Sequence, residues 1–211
     1  QVFIGRLRPK QCMRFSKVSE CLRYEGHQVF AATRKYREVN QLLEIKGIEA
    51  RAVGRHGGGD LKDKLEASAQ RTLELASVVD EWQPDVAVSF SSPETARVAF
   101  GLHVPHVCLS DSPHSEAVAR LTVPLSSSLL TPRLIPKSAW IKFGIAADRI
   151  IQYNAIDPWA WLKDFKQDKG ILKQLDLNDS KPIVVFRTEE SFASYLLTRT
   201  SKTPPWTSLL D

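Results

Sequence analysis

A chain of 211 residues, 43% hydrophobic and 25% charged, has room for one full core and part of a second. No apolar run approaches the ~20 residues of a membrane span, and no secretory pattern opens the chain, so a cytoplasmic protein is expected. The net charge of +5 is uneven: residues 1–60 hold 12 Lys+Arg against 6 Asp+Glu, and the remainder holds 17 against 18. The excess, at Arg6, Arg8, Lys10, Arg14, Lys17, Arg34, Lys35, Arg37, Arg51 and Arg55, favours a phosphate-bearing or acidic partner. A merely solvated basic face has the same composition. No helix-turn-helix, zinc-finger or aromatic single-strand signature accompanies it, which argues against nucleic acid. Gln1 stands in an apolar run without an initiator Met, as after trimming of the N-terminus.

In chain order, Val2-Phe3-Ile4 reads as a short strand and Pro9–Tyr24 as a helix with Phe15, Val18 and Leu22 on one face, stopped by Gly26. Strands at Gln28–Ala32 and Ile48–Val53 flank a helix at Tyr36–Lys46. This alternation with short connections predicts a parallel sheet with right-handed crossovers. The longest helix, Leu61–Trp82, has an apolar set at Leu61, Leu65, Ala69, Leu73, Ala76, Val79 and Trp82, expected to pack on the sheet. Strands follow at Asp85–Phe90, Val107–Leu109, Ser126–Leu130 and Ile150–Tyr153, with a short helix at about Lys137–Phe143. Beyond Asn154 the pattern changes. Trp159 and Trp161 fall in a short helical crossing segment, 163–178 is charged, and Lys181–Arg187 (KPIVVFR) predicts a strand before a helix at Glu189–Leu197. Cys12, Cys21 and Cys108, odd in number and without metal spacing, are expected to be buried free thiols.

Two strand–Ser-Pro–helix units stand in succession. Ser91-Ser92-Pro93 follows the Asp85–Phe90 strand, and Ser110-Asp111-Ser112-Pro113 follows Val107–Leu109, with Ser112 as N-cap and Pro113 as the first helical residue. Helix N-termini at the carboxyl edge of a parallel sheet favour an anion, although Ser-Pro is also simply a good helix start. Gly54-Arg55-His56-Gly57-Gly58-Gly59-Asp60 follows the third strand. It reads either as a backbone cradle for a ligand, through Arg55, His56, Gly57 and Gly58, or as a flexible link to the long helix. Arg8 and Lys10 are further candidates for holding phosphate. Asp111 and His114 are candidate catalytic residues, either one as a general base, since imidazole titrates near neutrality and a carboxylate can orient it. Arg187 and Glu189 occupy the matching edge of the last predicted strand. Asp111 as a cap and His114 as a surface residue are the plainer alternatives.

The stretches RPKQ (Arg8–Gln11), GHQV (Gly26–Val29), GRHGG (Gly54–Gly58), KPIVVFR (Lys181–Arg187), ASY (Ala193–Tyr195) and Ser92–Leu125 carry a resemblance. The chain resembles a family of uncharacterised archaeal and bacterial proteins with a glycosyltransferase-B-like fold. It is more distantly similar to UDP-N-acetylglucosamine 2-epimerases and to the lipid-linked N-acetylglucosaminyl transferase of peptidoglycan synthesis. The resemblance implies a Rossmann-like α/β domain at 1–155, with helices on both faces of a parallel sheet. The change of pattern beyond Asn154 itself reads, at 156–211, as a linker and the first strand–helix unit of a truncated second α/β domain, since one such unit is too little for a domain of its own. Gly5 stands where the resemblance leads one to expect an acidic residue, and Phe90 where it leads one to expect a His.

The function expected is that of a glycosyltransferase- or epimerase-like half. It binds a nucleotide-sugar or phosphorylated acceptor at the carboxyl edge, through Arg8, Lys10, Arg55, His56, Gly57, Gly58, Ser91, Ser92, Ser112, Arg187 and Glu189. Asp111 and His114 act if there is chemistry, and no metal or cofactor is called for. The alternative is a non-catalytic binding or assembly module completed by another chain, a homo-oligomer included, through an exposed edge on the KPIVVFR strand.

Overall fold

Val2, Phe3 and Ile4 are all buried, as a strand covered on both faces must be, and neighbouring residues of each inner strand feed opposite layers. Phe3, Ala32 and Ala87 join one core with Leu75, Val78, Val98 and Ala99. Ile4, Ala31 and Phe90 join another with Cys12, Phe15, Val39 and Leu43. These are the two sides of one parallel sheet in a computed structural model that describes residues 1–5, 8–35, 37–163, 165–168, 170–177, 180 and 182–185. Its strands are β1 (Val2–Ile4), β2 (Val29–Lys35), β3 (Ala50–Arg55), β4 (Val86–Phe90), β5 (His106–Leu109), β6 (Ser128–Pro132) and β7 (Ile150–Tyr153), in the order β3-β2-β1-β4-β5-β6-β7. Every pairing is parallel, so the strands share one carboxyl edge.

Helices α1 (Pro9–Tyr24) and α2 (Arg37–Ile45) pack on one face. The other face carries α3 (Leu61–Trp82), α4 (Pro93–Gly101), α5 (Glu116–Thr122) and α6 (Ser138–Ile141). The strand order turns back between β1 and β4, the switch point at which open α/β sheets leave a crevice. Two units divide the chain, Gln1–Lys163 and Asp164–Asp211. The first holds all seven strands and ends in α7 (Trp159–Leu162), which packs on α1. The second contains α8 (Gly170–Gln174) among its described residues.

Several expectations are corrected. Helix α5 begins at Glu116, not Pro113, because Ser112 to Ser115 close a turn first, with the Ser115 amide donating to the Ser112 carbonyl at 3.0 Å; Ser112 is therefore not its cap. Pro182–Val185 of the predicted KPIVVFR strand form no ladder, and Val184 and Val185 are exposed. Lys181, Phe186, Arg187 and the helix expected at Glu189–Leu197 lie outside the described residues. Cys21 is exposed, whereas Cys12 and Cys108 are buried free thiols that burial pushes up to about 11.

The carboxyl-terminal part of α3 packs on the sheet as expected, through Ala76, Val79 and Trp82, but its earlier turns present another face: Leu61, Leu65 and Leu73 are 68%, 71% and 67% exposed, and Ala67, Arg71, Leu75 and Val78 are buried. The reason lies at Arg71, which is fully buried. Its Nη2 donates to the Gly5 carbonyl at 2.7 Å, and its Nη1 to the Thr33 carbonyl at 3.0 Å and to that of Val53. One guanidinium thus satisfies carbonyls in the carboxyl-terminal parts of β2 and β3 and just after β1, groups that would be costly to bury unpaired. Burial lowers its pKa to about 10, with Glu94 and Glu74 opposing and Arg34 reinforcing that shift. Gly5 has a separate reason to lack a side chain. A Cβ there would lie 2.0 Å from Thr95 Oγ1, so the carboxylate expected after β1 has no room.

Candidate functional site

Crossing from β1 to β5 at the carboxyl edge, the first turns of α1 meet the exits of β4, β5 and β7. Helix α1 opens at Arg8-Pro9: Pro9 lacks an N–H to leave unpaired, and the Arg8 amide donates to Gln11 Oε1 at 2.8 Å. Lys10 and Arg14, one turn apart, share a face. Lys10 Nζ contacts Asp111 Oδ2 at 2.5 Å and Asp157 Oδ2 at 2.9 Å. Arg14 Nη2 pairs with Asp157 Oδ1 and donates to the Tyr153 hydroxyl at 2.9 Å, and that hydroxyl donates to Asp157 Oδ1 at 2.9 Å. Phe90, at the end of β4, lies beneath both cations, 5.2 Å from Lys10 Nζ and 5.3 Å from Arg14 Cζ. The ring that replaces the expected His is therefore a platform for two cations.

The cluster is graded in depth. The Asp157 side chain is 2% exposed and that of Arg14 8%, whereas Lys10 is half-exposed and Asp111 faces partly outward. Burial pushes the Asp111 carboxyl up, but hydrogen bonds from Lys10 and Ser112 and the charges of Lys10 and Arg14 outweigh it and hold it below the usual carboxylate range. Ser112 Oγ donates to Asp111 Oδ1 at 2.7 Å. Burial raises the Tyr153 pKa, against the charge and hydrogen bond of Arg14. An ionised Asp111 at a half-open edge, flanked by an ammonium and a hydroxyl, is suited to accept hydrogen bonds from ligand hydroxyls.

Ser91 adopts φ +47°, unusual for a residue with a side chain, and its Oγ donates to the Leu109 carbonyl at 3.2 Å and is hydrogen-bonded to Ser110 Oγ at 2.8 Å. Ser92 is fully buried and works within the fold: its Oγ accepts from the Thr95 amide as N-cap of α4 and donates to Glu94 Oε2 at 3.1 Å. Glu94 in turn pairs with Arg34 and accepts from Ser68 Oγ at 2.8 Å. His114 is exposed in the turn before α5. Arg55 ends β3, beside Lys35 in the ladder. His56 Nδ1 accepts from the Gly58 amide at 3.0 Å. A Cβ on Gly57 would lie 2.6 Å from Lys64 Cα, and Gly58 has φ +67°, so packing on α3 and a left-handed turn account for both glycines.

Lys10, Asp111 and Ser112 are thus brought together, with Ser91 on the neighbouring strand exit. The loop at Arg55–Gly58 shares the edge but follows β3, four strand spacings from β5, or about 19 Å. Arg187 and Glu189 lie outside the described residues. Sequence reasoning counted Arg14 only within the basic excess, without a place in the site, and missed Tyr153 and Asp157. Arg14 was accessible from its one-turn spacing to Lys10, whereas Asp157, 143 residues away from its partner, had no local signal.

Residues 4–204 match the family described as "Protein of unknown function (DUF354)". Over 168 residues the chain is 31% identical to uncharacterized protein MJ0665 of Methanocaldococcus jannaschii, covering 77% of this chain and 48% of that protein. Its fold is similar to the UDP-GlcNAc 2-epimerase of Neisseria meningitidis bound to UDP-GlcNAc, with TM-score 0.62 and 18% identity over 83% of this chain and 52% of that one. It is also similar to the spinosyn rhamnosyltransferase SpnG complexed with thymidine diphosphate, with TM-score 0.50 and 15% identity over 63% and 45% of the two chains. The chain spans about half the length of these relatives. The expected Rossmann-like fold is thereby borne out. Among the described residues no helix is long and apolar enough to cross a membrane.

Proposed function

The chain belongs to the DUF354 family, and from that premise we propose that its first unit binds a nucleotide-sugar or a phosphorylated sugar acceptor at the carboxyl edge of the sheet. The observation that carries this reading is the Lys10–Asp111 pair, held half-open over Phe90 at the switch point of the sheet. Support comes from the solved relatives of the same fold, whose ligands are UDP-GlcNAc and thymidine diphosphate. Asp111, kept ionised by Lys10 and Ser112, accepts hydrogen bonds from sugar hydroxyls, and Lys10 donates to the ligand's oxygens. A carboxylate held below its ordinary pKa is a weaker base than an unperturbed one, and its oxygens already accept from Lys10 and Ser112, so we give Asp111 the role of orienting a hydroxyl rather than removing its proton. Sugar transfer or epimerisation is the reaction class we propose for the whole protein, by likeness of fold to the epimerase and the rhamnosyltransferase.

Calorimetric titration with UDP-GlcNAc, UDP and N-acetylglucosamine tests the reading. Binding of UDP-GlcNAc that weakens at least about tenfold in Asp111→Asn and in Lys10→Met is the expected result, since a charge-assisted hydrogen bond is worth ~1.5–3 kcal/mol. No heat or stabilisation from any of the three at millimolar concentration overturns it and leaves the binding-module alternative.

A further inference from the structure

Two strands further along the same edge, the exits of β6 and β7 enclose a depression of about 480 Å³ lined by Arg133, Leu134, Asn154, Ala155 and Ile156. That volume lies within the ~300–1,000 Å³ of small-molecule sites. Its walls are built. The Arg133 amide donates to the Tyr153 carbonyl at 2.8 Å, the Ile135 amide closes a turn on the Pro132 carbonyl at 2.9 Å, and Gln152 Nε2 pins the Ile135 carbonyl at 2.7 Å. The far wall, Asn154–Ile156, runs from Tyr153 to Asp157, so the Arg14–Asp157 pair anchors it to α1.

The charges of the two neighbouring sites differ. Around Lys10 two cations face two carboxylates, and an arriving phosphate must displace a carboxylate from Lys10 to gain its charge. The Arg133 guanidinium enters no ion pair and no side-chain hydrogen bond among the described residues, and the Asn154 amide next to it is likewise unengaged. Both are exposed, and they are flanked by the apolar surfaces of Leu134, Ala155 and Ile156. An unpaired guanidinium beside an amide, with apolar side chains around them, suits a phosphate ester attached to a ring.

We infer that Arg133 and Asn154 form the anion subsite of this edge and take the phosphate or pyrophosphate of the sugar ligand. Lys10, Asp111 and Ser112 then hold the ligand's neutral hydroxyl-bearing part. This rests on the reading of the edge as a phosphorylated-sugar site and reassigns its phosphate from the amino-terminal basic cluster to β6–β7. The exits of β5 and β7 are two strand spacings apart, about 10 Å, a span that a sugar joined to a pyrophosphate covers.

The test is calorimetric titration of the full chain with inorganic pyrophosphate, UDP-GlcNAc and N-acetylglucosamine. It compares the unmodified protein, Arg133→Gln, Asn154→Ala, Asp111→Asn and the control Arg97→Gln, an exposed cation on α4. The expected result is that Arg133→Gln weakens pyrophosphate and UDP-GlcNAc at least tenfold and Asn154→Ala about threefold. Asp111→Asn weakens only UDP-GlcNAc, and Arg97→Gln changes either less than twofold. UDP-GlcNAc bound equally by the unmodified protein and Arg133→Gln overturns the inference while leaving the phosphorylated-sugar reading intact. Pyrophosphate binding lost in Arg133→Gln, with no UDP-GlcNAc binding to any form, upholds the anion subsite and overturns the sugar reading. Failure of both ligands to bind the unmodified protein overturns both.

Discussion

Replacing Asp157 with Asn removes the one carboxylate that Arg14, Lys10 and Tyr153 share. The side chain is 2% exposed and Arg14 8%, so the substitution strands a guanidinium where water cannot replace the lost charge. Breaking one partner of such a buried pair costs about 3–5 kcal/mol. Asn keeps the shape and one acceptor oxygen, which places Asp157→Asn near the lower end, about 3 kcal/mol. For a unit of this size that corresponds to a fall in Tm of roughly 6–12 °C. Urea unfolding followed by far-UV circular dichroism at pH 7 reads the change as a shift in midpoint at constant slope. The double variant Arg14→Met with Asp157→Leu removes both charges, and we expect it to cost less than Asp157→Asn alone, because no charge is left unpaired. A loss below about 1 kcal/mol for Asp157→Asn, or a double variant worse than the sum of its singles, would refute the claim that this pair anchors the segment after β7 to α1.

Three further outcomes are expected. Gly5→Ala places a Cβ 2.0 Å from Thr95 Oγ1 and is expected to cost about 3 kcal/mol or more by urea midpoint, whereas Gly58→Ala, with open space but φ +67°, costs about 1 kcal/mol. Arg71→Met leaves the carbonyls of Gly5, Thr33 and Val53 without their donor and is expected to lose at least about 3 kcal/mol, with Arg71→Lys recovering only part because an ammonium lacks the planar fork. His106, buried between Ser89 Oγ and Ser126 Oγ at 2.9 Å each, has its pKa lowered by burial to about 4. The native state therefore refuses a proton that the unfolded chain accepts near pH 6.5, so the contribution of His106 is complete above that pH, falls as pH drops toward 4 and levels off below it. Its size is on the order of 3 kcal/mol, and His106→Gln is expected to flatten the stability profile across pH 4–6.5.

The alternation of apolar triplets with amphipathic helices made the sheet legible, because a strand buried on both faces needs an unbroken apolar run. The bounds of α1 and α3 follow from Pro9 with Gly26 and from Asp60 as a cap on the Lys62 and Asp63 amides. The inward face of the earlier turns of α3 was not legible, although Ala76, Val79 and Trp82 were, since hydrophobic periodicity gives no weight to a buried arginine and only tertiary contact shows that Arg71 has three carbonyls to serve. The start of α5 misled for a related reason: Ser112-Pro113 fits a helix opening, but Ser112 Oγ is engaged by Asp111. At the edge, Lys10 and Asp111 stood out as charged residues beside strand exits. Asp157 and Arg133 did not, because Asp157 sits in a crossing segment of mixed character and Arg133 in an ordinary turn, and what distinguishes them is the presence or absence of a partner in space.

Amide chemical-shift mapping by NMR, with UDP-GlcNAc titrated into the isotope-labelled protein, addresses the carboxyl edge most directly. Saturable shifts concentrated at Lys10–Gln11, Ser110–Ser112, Arg133–Ile135 and Asn154–Ile156, on the exits of β1, β5, β6 and β7, are the expected result. Shifts confined to the opposite, amino edge of the sheet, or to the far end of α1 at Glu20–Glu25, would contradict the account.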